Sequence, residues 1–331
     1  MLSGSKRFYK NKAGMFLAFF FAVVWSGCVK QNIPEPVVVD PDPLIPDEYY
    51  QALRAYKKSD HPIMFGWVGG LSGSTKAGRG NGSWDLPDSL DLVSLWGGLP
   101  PFDSQNYKEI QAVRAKKGTR FLWCVFGSDI EALIRKNFPE LIKTDIMRAI
   151  ESTAKSIADT INRYQLDGFD LDYEPDFGDL SIFGDQNSNG YVTNDPHTQR
   201  LFQALSRYLG PQSGNGKLLI IDGQFDVGIE PYINYLMQQA YGASTTFQLQ
   251  SRYNDYGGGV LPSKKFVPTE SYEMHKNQGT GSLELMAVWN ATQGQKGGVG
   301  AYHLEYDFAS NPLYPYERIR KCIQLMNPSG H

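Results

Sequence analysis

From His61 onward, short apolar runs alternate with segments whose apolar residues recur at three- and four-residue spacing, the signature of repeated β-then-α units. The runs predict strands over 63–68, 90–96, 120–126, 166–175, 218–222, 235–241, 265–272 and 300–306. Between the third and fourth, residues 146–164 carry Ile150, Ala154, Ile157 and Ile161 along one stripe, which predicts a long amphipathic helix. Further helices are expected over 48–58, 199–208, 282–290 and 315–326. Eight such units fit a single-domain α/β (β/α)8 TIM barrel over residues 61–328. An open doubly wound sheet is the structural rival, but no glycine-rich phosphate turn follows the first strand. Two long Gly-, Asn- and Asp-rich stretches, 71–86 and 176–196, follow the first and fourth strands and in a barrel rise over its catalytic face.

Upstream of the barrel the pattern changes twice. Lys6, Arg7, Lys10 and Lys12 precede an apolar run from Met15 to Trp25, and Ser26-Gly27-Cys28 follows it. The run is too short to span a bilayer and fits a secretory signal over residues 1–27. Small residues directly before a cysteine resemble a bacterial lipoprotein cleavage site, which implies lipidation of Cys28 and a cell-envelope location, anchored or secreted. Trp25 departs from the aliphatic residue usual three places before that cysteine. Residues 28–60 begin with a proline-rich stretch unable to pack, an extended tether, and end in the short helix.

Composition narrows the picture further. A hydrophobic fraction of 41% in 331 residues is ample for one large core. A net charge of −3 provides no electrostatic footprint for nucleic acid. Apart from Cys28 the only cysteines are Cys124, in a predicted strand, and Cys322, in a predicted helix; they read as buried free thiols, although a pair is not excluded by sequence. No Cys or His spacing matches a metal site, and no metal or organic cofactor is called for. A monomer is expected.

The chemistry concentrates in Leu166-Asp167-Gly168-Phe169-Asp170-Leu171-Asp172-Tyr173-Glu174-Pro175. Four acids stand at the spacing D-x-x-D-x-D-x-E. Strand alternation puts Asp170, Asp172 and Glu174 on one face and Leu171 and Tyr173 on the other. Carboxylates two residues apart on a strand lie roughly 6.5–7 Å from one another. A solvated acidic edge would need polar residues on the second face, and Leu171 and Tyr173 are not polar. Asp167 has the opposite parity and reads as an anchor for the start of the strand.

This segment resembles the active-site strand of glycoside hydrolase family 18, which contains chitinases and endo-β-N-acetylglucosaminidases. The resemblance implies hydrolysis in which the substrate's own 2-acetamido oxygen attacks the anomeric carbon, rather than a two-carboxylate scheme. It implies Glu174 as general acid, Asp172 as acceptor for the acetamide N–H, and Asp170 as a deeper carboxyl sharing a proton with Asp172. Gln239-Ala240-Tyr241 resembles the Gln-x-Tyr of the endo-β-N-acetylglucosaminidase branch, where chitinases more often carry Met-x-Tyr-Asp. Tyr241 would then bond the acetamido carbonyl and Gln239 would hold the sugar. Trp67, Trp96 and Trp123, near the ends of the first three strands, are candidate walls of a sugar subsite. Tyr306 stands where many family members place a tryptophan in the eighth strand.

The leading expectation is a retaining endoglycosidase cutting the GlcNAc-β-1,4-GlcNAc core of N-linked glycans, with a glycoprotein as partner. Two alternatives are a surface glycan-binding protein that keeps the barrel without turnover and a chitinase acting on β-1,4-GlcNAc oligomers. Intact Glu174 and Asp172 speak against the first, and the Gln-x-Tyr triplet against the second.

Overall fold

The computed structural model describes residues 45–71, 82–175, 180–184, 192–257, 259–275, 281–309, 311 and 313–328. The stretch expected to be a signal segment, Cys28, most of the stretch expected to be a tether and the centres of both long loops lie outside the described residues. Among those described, eight parallel strands close into a barrel: β1 (Ile63–Gly69), β2 (Leu92–Trp96), β3 (Arg120–Phe126), β4 (Gly168–Tyr173), β5 (Leu218–Gly223), β6 (Tyr235–Gln239), β7 (Phe266–Ser271) and β8 (Gly298–Tyr302). Each strand pairs with its sequence neighbours, and β1 pairs with β8 to complete the ring. The (β/α)8 expectation is borne out.

The helices form where local chemistry starts and stops them. α1 (Asp47–Tyr56) precedes the barrel. Ser104 caps α2 (Gln105–Lys117) by accepting the Tyr107 amide, and Gly118, at φ 73°, ends it in the left-handed conformation. Two further helices, α3 (Gly127–Asn137) and α4 (Pro139–Thr144), follow β3; like α2 and the later helices over 246–256 and 272–275, they were not foreseen in sequence. Asp145 caps α5 (Ile146–Arg163), whose Ile150, Ala154, Ile157 and Ile161 are all buried as the stripe requires. Each isoleucine so placed contributes about 1.5–3 kcal/mol of burial. α6 (Pro196–Leu205) starts three residues before its expected position because Asp195 caps it and Pro196 suits a first helical turn. α7 (Thr246–Tyr256), α8 (Tyr272–His275), α9 (Leu283–Val288) and α10 (Glu317–Met326) complete the outer layer. No described helix is long and apolar enough to cross a membrane.

Strand parity divides the apolar residues into two cores. The larger one lies between sheet and helices and includes Val93, Phe121, Phe169, Leu171 and Ile221. The smaller one fills the barrel with Phe65, Trp67, Leu92, Leu122, Cys124, Ile220 and Met237. Gly168 permits β4 and β5 to close: a Cβ there would lie 2.4 Å from the Leu218 carbonyl oxygen. Cys124 and Cys322 are both buried and free.

Candidate active site

β4 carries the acids toward the barrel axis as its alternation demands. Asp170 is sealed in the interior, Asp172 is 6% exposed, and Glu174, one residue past the strand end, is half-buried at the mouth. Asp167 sits at the opposite, N-terminal end, where Arg114 grips it with two hydrogen bonds of 2.6 Å and the Phe121 amide donates to it at 2.9 Å. Its anchoring role is thereby explained.

Asp170 accepts hydrogen bonds from the Trp67 indole at 3.0 Å and the Ser94 hydroxyl at 2.5 Å. Register adds a fourth acid. Asp172 is paired directly with Asp222 of β5, which is also buried and points inward. An Asp222 oxygen lies within 4.8 Å of an Asp170 oxygen and within the same distance of an Asp172 oxygen, so Asp222 joins the two acids of β4 in one buried cluster. One oxygen from each of Asp172, Glu174 and Asp222 lies within 4.8 Å of the others.

The Gln239 side-chain amide links this cluster to the mouth, donating to Glu174 at 2.6 Å and to Asp222 at 3.1 Å. β6 ends at Gln239, earlier than expected, so Tyr241 belongs to the following turn and leans over the opening. Burial, then the charges of Asp222, Asp172 and Glu174, raise the Tyr241 phenol far above its ordinary pKa, which keeps it a hydrogen-bond donor. Together Trp67, Trp96, Phe126, Asp172, Glu174, Asp222, Gln239, Tyr241 and Tyr302 line a cavity of 210 Å³. That is below the roughly 300–1,000 Å³ of a drug-sized ligand pocket, and it matches a single sugar ring with the rest of its chain outside.

Two expected wall residues are elsewhere. Trp123 has the parity of Phe121 rather than Cys124, so its ring leaves the cavity, packs on the outer face against Phe169 with centroids 5.9 Å apart, and lines a neighbouring groove instead. Tyr306 lies beyond the last strand, because His303 takes φ 53° and turns the chain into a 3-10 segment, Leu304–Ala309. There Tyr306 stacks on the His303 ring at 4.5 Å. The place at the mouth is taken by Tyr302, whose ring lies 5.3 Å from Trp96 and 6.4 Å from Tyr241.

Asp222, Ser94, Phe126 and Tyr302 are thus the site residues sequence reasoning missed. The signal for Asp222 was available, since it ends the apolar run of β5 with the parity of Ile220.

Burial raises the pKa of all three interior acids. For Asp170 burial is the main cause, offset by the bonds from Ser94 and Trp67. For Asp172 burial is followed by its bond to Asp222, which lowers it, and the charges of Glu174 and Asp170, which raise it. For Asp222 burial is reinforced by the charges of Asp172 and Asp170. Burial also pushes the Cys124 thiol up, so it stays protonated. Two donor sets, Cys124–Asp170–Asp222 and Asp172–Glu174–Asp222, are compact enough to be considered for a cation. A thiol kept protonated by burial and carboxyls pushed up by burial and by one another's charge are better described as a cluster of coupled acids.

A rigid barrel thus holds a graded set of carboxyls beneath a sugar-sized cavity roofed by aromatic rings. The profile described as Glycoside hydrolase family 18, BT1044-like, matches residues 29–325. The chain belongs to glycoside hydrolase family 18. It is 30% identical to Endo-beta-N-acetylglucosaminidase F2 of Elizabethkingia meningoseptica over 312 residues, which covers 83% of this chain and 85% of the relative. Its fold is similar to that of a solved variant of BT1044, with a TM-score of 0.71 and 25% identity, covering 85% of this chain and 93% of the other. It is also similar to an endo-beta-N-acetylglucosaminidase of Cordyceps militaris, with a TM-score of 0.62 and 24% identity, covering 85% and 96%. The family 18 resemblance drawn from the four acids is borne out, and this family 18 protein is a glycoside hydrolase.

Proposed function

We propose that this family 18 hydrolase is a retaining endo-β-N-acetylglucosaminidase that cleaves the GlcNAc-β-1,4-GlcNAc core of N-linked glycans with help from the substrate's acetamido group. The observation that carries the reading is the meeting of Asp172, Glu174, Gln239 and Tyr241 around one ring-sized cavity. Glu174, at the mouth, gives its proton to the leaving-group oxygen and later recovers it from water. Asp172 accepts the acetamide N–H and balances the positive oxazolinium that forms when the acetamido oxygen closes on the anomeric carbon. The Tyr241 hydroxyl donates to that oxygen and aims it.

Retention follows from the mechanism, since the acetamido oxygen and then water attack the anomeric carbon from opposite faces in turn, two inversions that restore its configuration. An endo-acting cleft must continue beyond the cut, and a groove of 730 Å³ adjoins the cavity, sharing Trp96 and Phe126. The similarity to Endo-beta-N-acetylglucosaminidase F2 supports the same substrate class.

The test is glycan release. The purified protein is incubated with a high-mannose glycoprotein, a complex-type glycoprotein and a chitooligosaccharide, and products are weighed by mass spectrometry. Loss of a glycan leaving one GlcNAc on the polypeptide is the expected result. Binding without cleavage favours a lectin-like role, and cleavage of the chitooligosaccharide alone favours a chitinase. In this reading the barrel acts as a monomer held at the cell envelope by a lipid on Cys28, through the tether of residues 28–60. Incorporation of a fatty-acid label that Cys28→Ala abolishes is the expected outcome, and an unlabelled wild type removes the anchor.

A further inference from the structure

We propose that Asp222 is a positioning residue that stays neutral and donates its proton to Asp172, fixing Asp172 as the ionised acceptor for the substrate. This rests on the reading above and adds a residue to it. The acidic strand alone supplies three acids, and the fourth comes from β5 through register, which sets Asp222 beside Asp172.

Three buried carboxyl oxygens, Asp170 Oδ1, Asp172 Oδ1 and Asp222 Oδ2, meet no N–H or O–H donor among the described residues. Ionised carboxylates only accept, so contact between Asp222 and its two neighbours is a hydrogen bond only when a proton lies between them. Leaving three such acceptors unpaired in a sealed interior is costly. Partner geometry decides where the proton resides. Asp170 already receives two donated bonds, from Trp67 and Ser94, which favour its ionised form. Asp172 faces the cavity and Glu174, where an ionised oxygen is useful. Asp222 is buried at 1% exposure with two anionic neighbours, and its one outside bond, from Gln239 to Oδ1, leaves Oδ2 to carry hydrogen. The groups facing it are Asp170, Asp172 and Glu174 from β4 and its end, Cys124 from β3, and Tyr241 and Gln239 from β6 and its turn.

The chemistry balances without net transfer. Asp222 keeps its O–H bond throughout the cycle, and the proton given to the leaving group comes from Glu174. An amide can imitate a neutral carboxyl here, since its oxygen can accept from Gln239 while its nitrogen donates to Asp172.

The test compares Asp222→Asn with Asp222→Ala. In Asp222→Ala the donor is gone, Asp172 becomes harder to ionise, and the acid limb of the kcat/KM profile moves up by about one pH unit. In Asp222→Asn the limb stays in place and kcat falls by less than about tenfold. An unmoved limb in the alanine variant, or an asparagine variant as impaired as Asp172→Asn, overturns the proposal. Should the alanine variant fail to fold, the asparagine result decides alone. An arm free of substrate separates this from the functional reading: difference infrared spectra of the wild type at neutral pH should contain the carbonyl stretch of a buried protonated carboxyl that Asp222→Asn removes. If no glycan is cut yet that band is present and lost as described, the endoglycosidase reading fails and the proton assignment stands; a spectrum without the band overturns the assignment.

Discussion

Gln239 sends one side-chain amide to two acids, Glu174 and Asp222, and so ties the proton donor at the mouth to the carboxyls beneath it. The amide is neutral, so it can fix the Glu174 side chain without competing for its proton as a lysine would. Tyr241 completes the arrangement from the next turn. Tyr241→Phe removes a donor aimed at the acetamido oxygen while keeping the ring, and kcat should fall about 10²-fold with little change in KM. Steady-state kinetics on a homogeneous glycopeptide check this, and a variant that changes KM alone would assign Tyr241 to binding. Asp170, Asp172, Glu174, Gln239 and Tyr241 were legible in the chain because each belongs to a local motif. Asp222 was legible only as an acid of inward parity at the end of its strand; its pairing with Asp172, 50 positions earlier, was not, because that depends on which residues the β4–β5 pairing aligns.

At the scale of the element, parity governs which aromatic rings see the cavity. Trp67 and Trp96 point inward, and Trp123 points outward because it follows Leu122 and precedes Cys124 on β3. Nearness to a strand end made all three look equivalent in sequence, and reading Cys124 opposite Asp170 would have separated them. Trp96→Ala should weaken glycan cleavage at least tenfold by stripping the wall shared by cavity and groove. Trp123→Ala should instead cost about 2–4 kcal/mol of stability and, because Trp123 lines only the outer groove, raise KM with kcat unchanged. Chemical denaturation alongside kinetics distinguishes them, and a fall in kcat of the folded Trp123 variant would contradict its placement. Strand limits went astray at β6 and β8 for one reason: each ends in a turn set by backbone conformation, such as His303 at φ 53°, which side-chain pattern does not encode. Strand β3, free of such a turn, was read to the residue.

For the whole molecule, the barrel confines three carboxyls whose pKa values in the folded state are raised above those of the unfolded chain. Groups raised in this way favour folding below the ordinary carboxylate range, and that contribution is lost as pH rises through their folded values. His61, raised mainly by its bond to Asp91, acts in the same direction, losing its contribution above the ordinary histidine range. The thermal unfolding midpoint should therefore decline from mildly acidic to alkaline pH, and Asp222→Asn, which cannot ionise, should flatten that decline. A midpoint that rises with pH, or an unchanged slope in the variant, would contradict the raised values. The barrel itself was legible from eight repeated units, since each strand and helix states its own periodicity. The depth of each acid within it was not, since that depends on contacts between distant strands.

The most direct measurement sets the wild type beside Glu174→Gln on one high-mannose glycoprotein, with products followed by mass. The wild type should leave a single GlcNAc on the polypeptide, and the variant should bind the glycoprotein while releasing glycan at least about 10²-fold more slowly. An intact substrate with the wild type, or equal rates for the two proteins, would contradict the account.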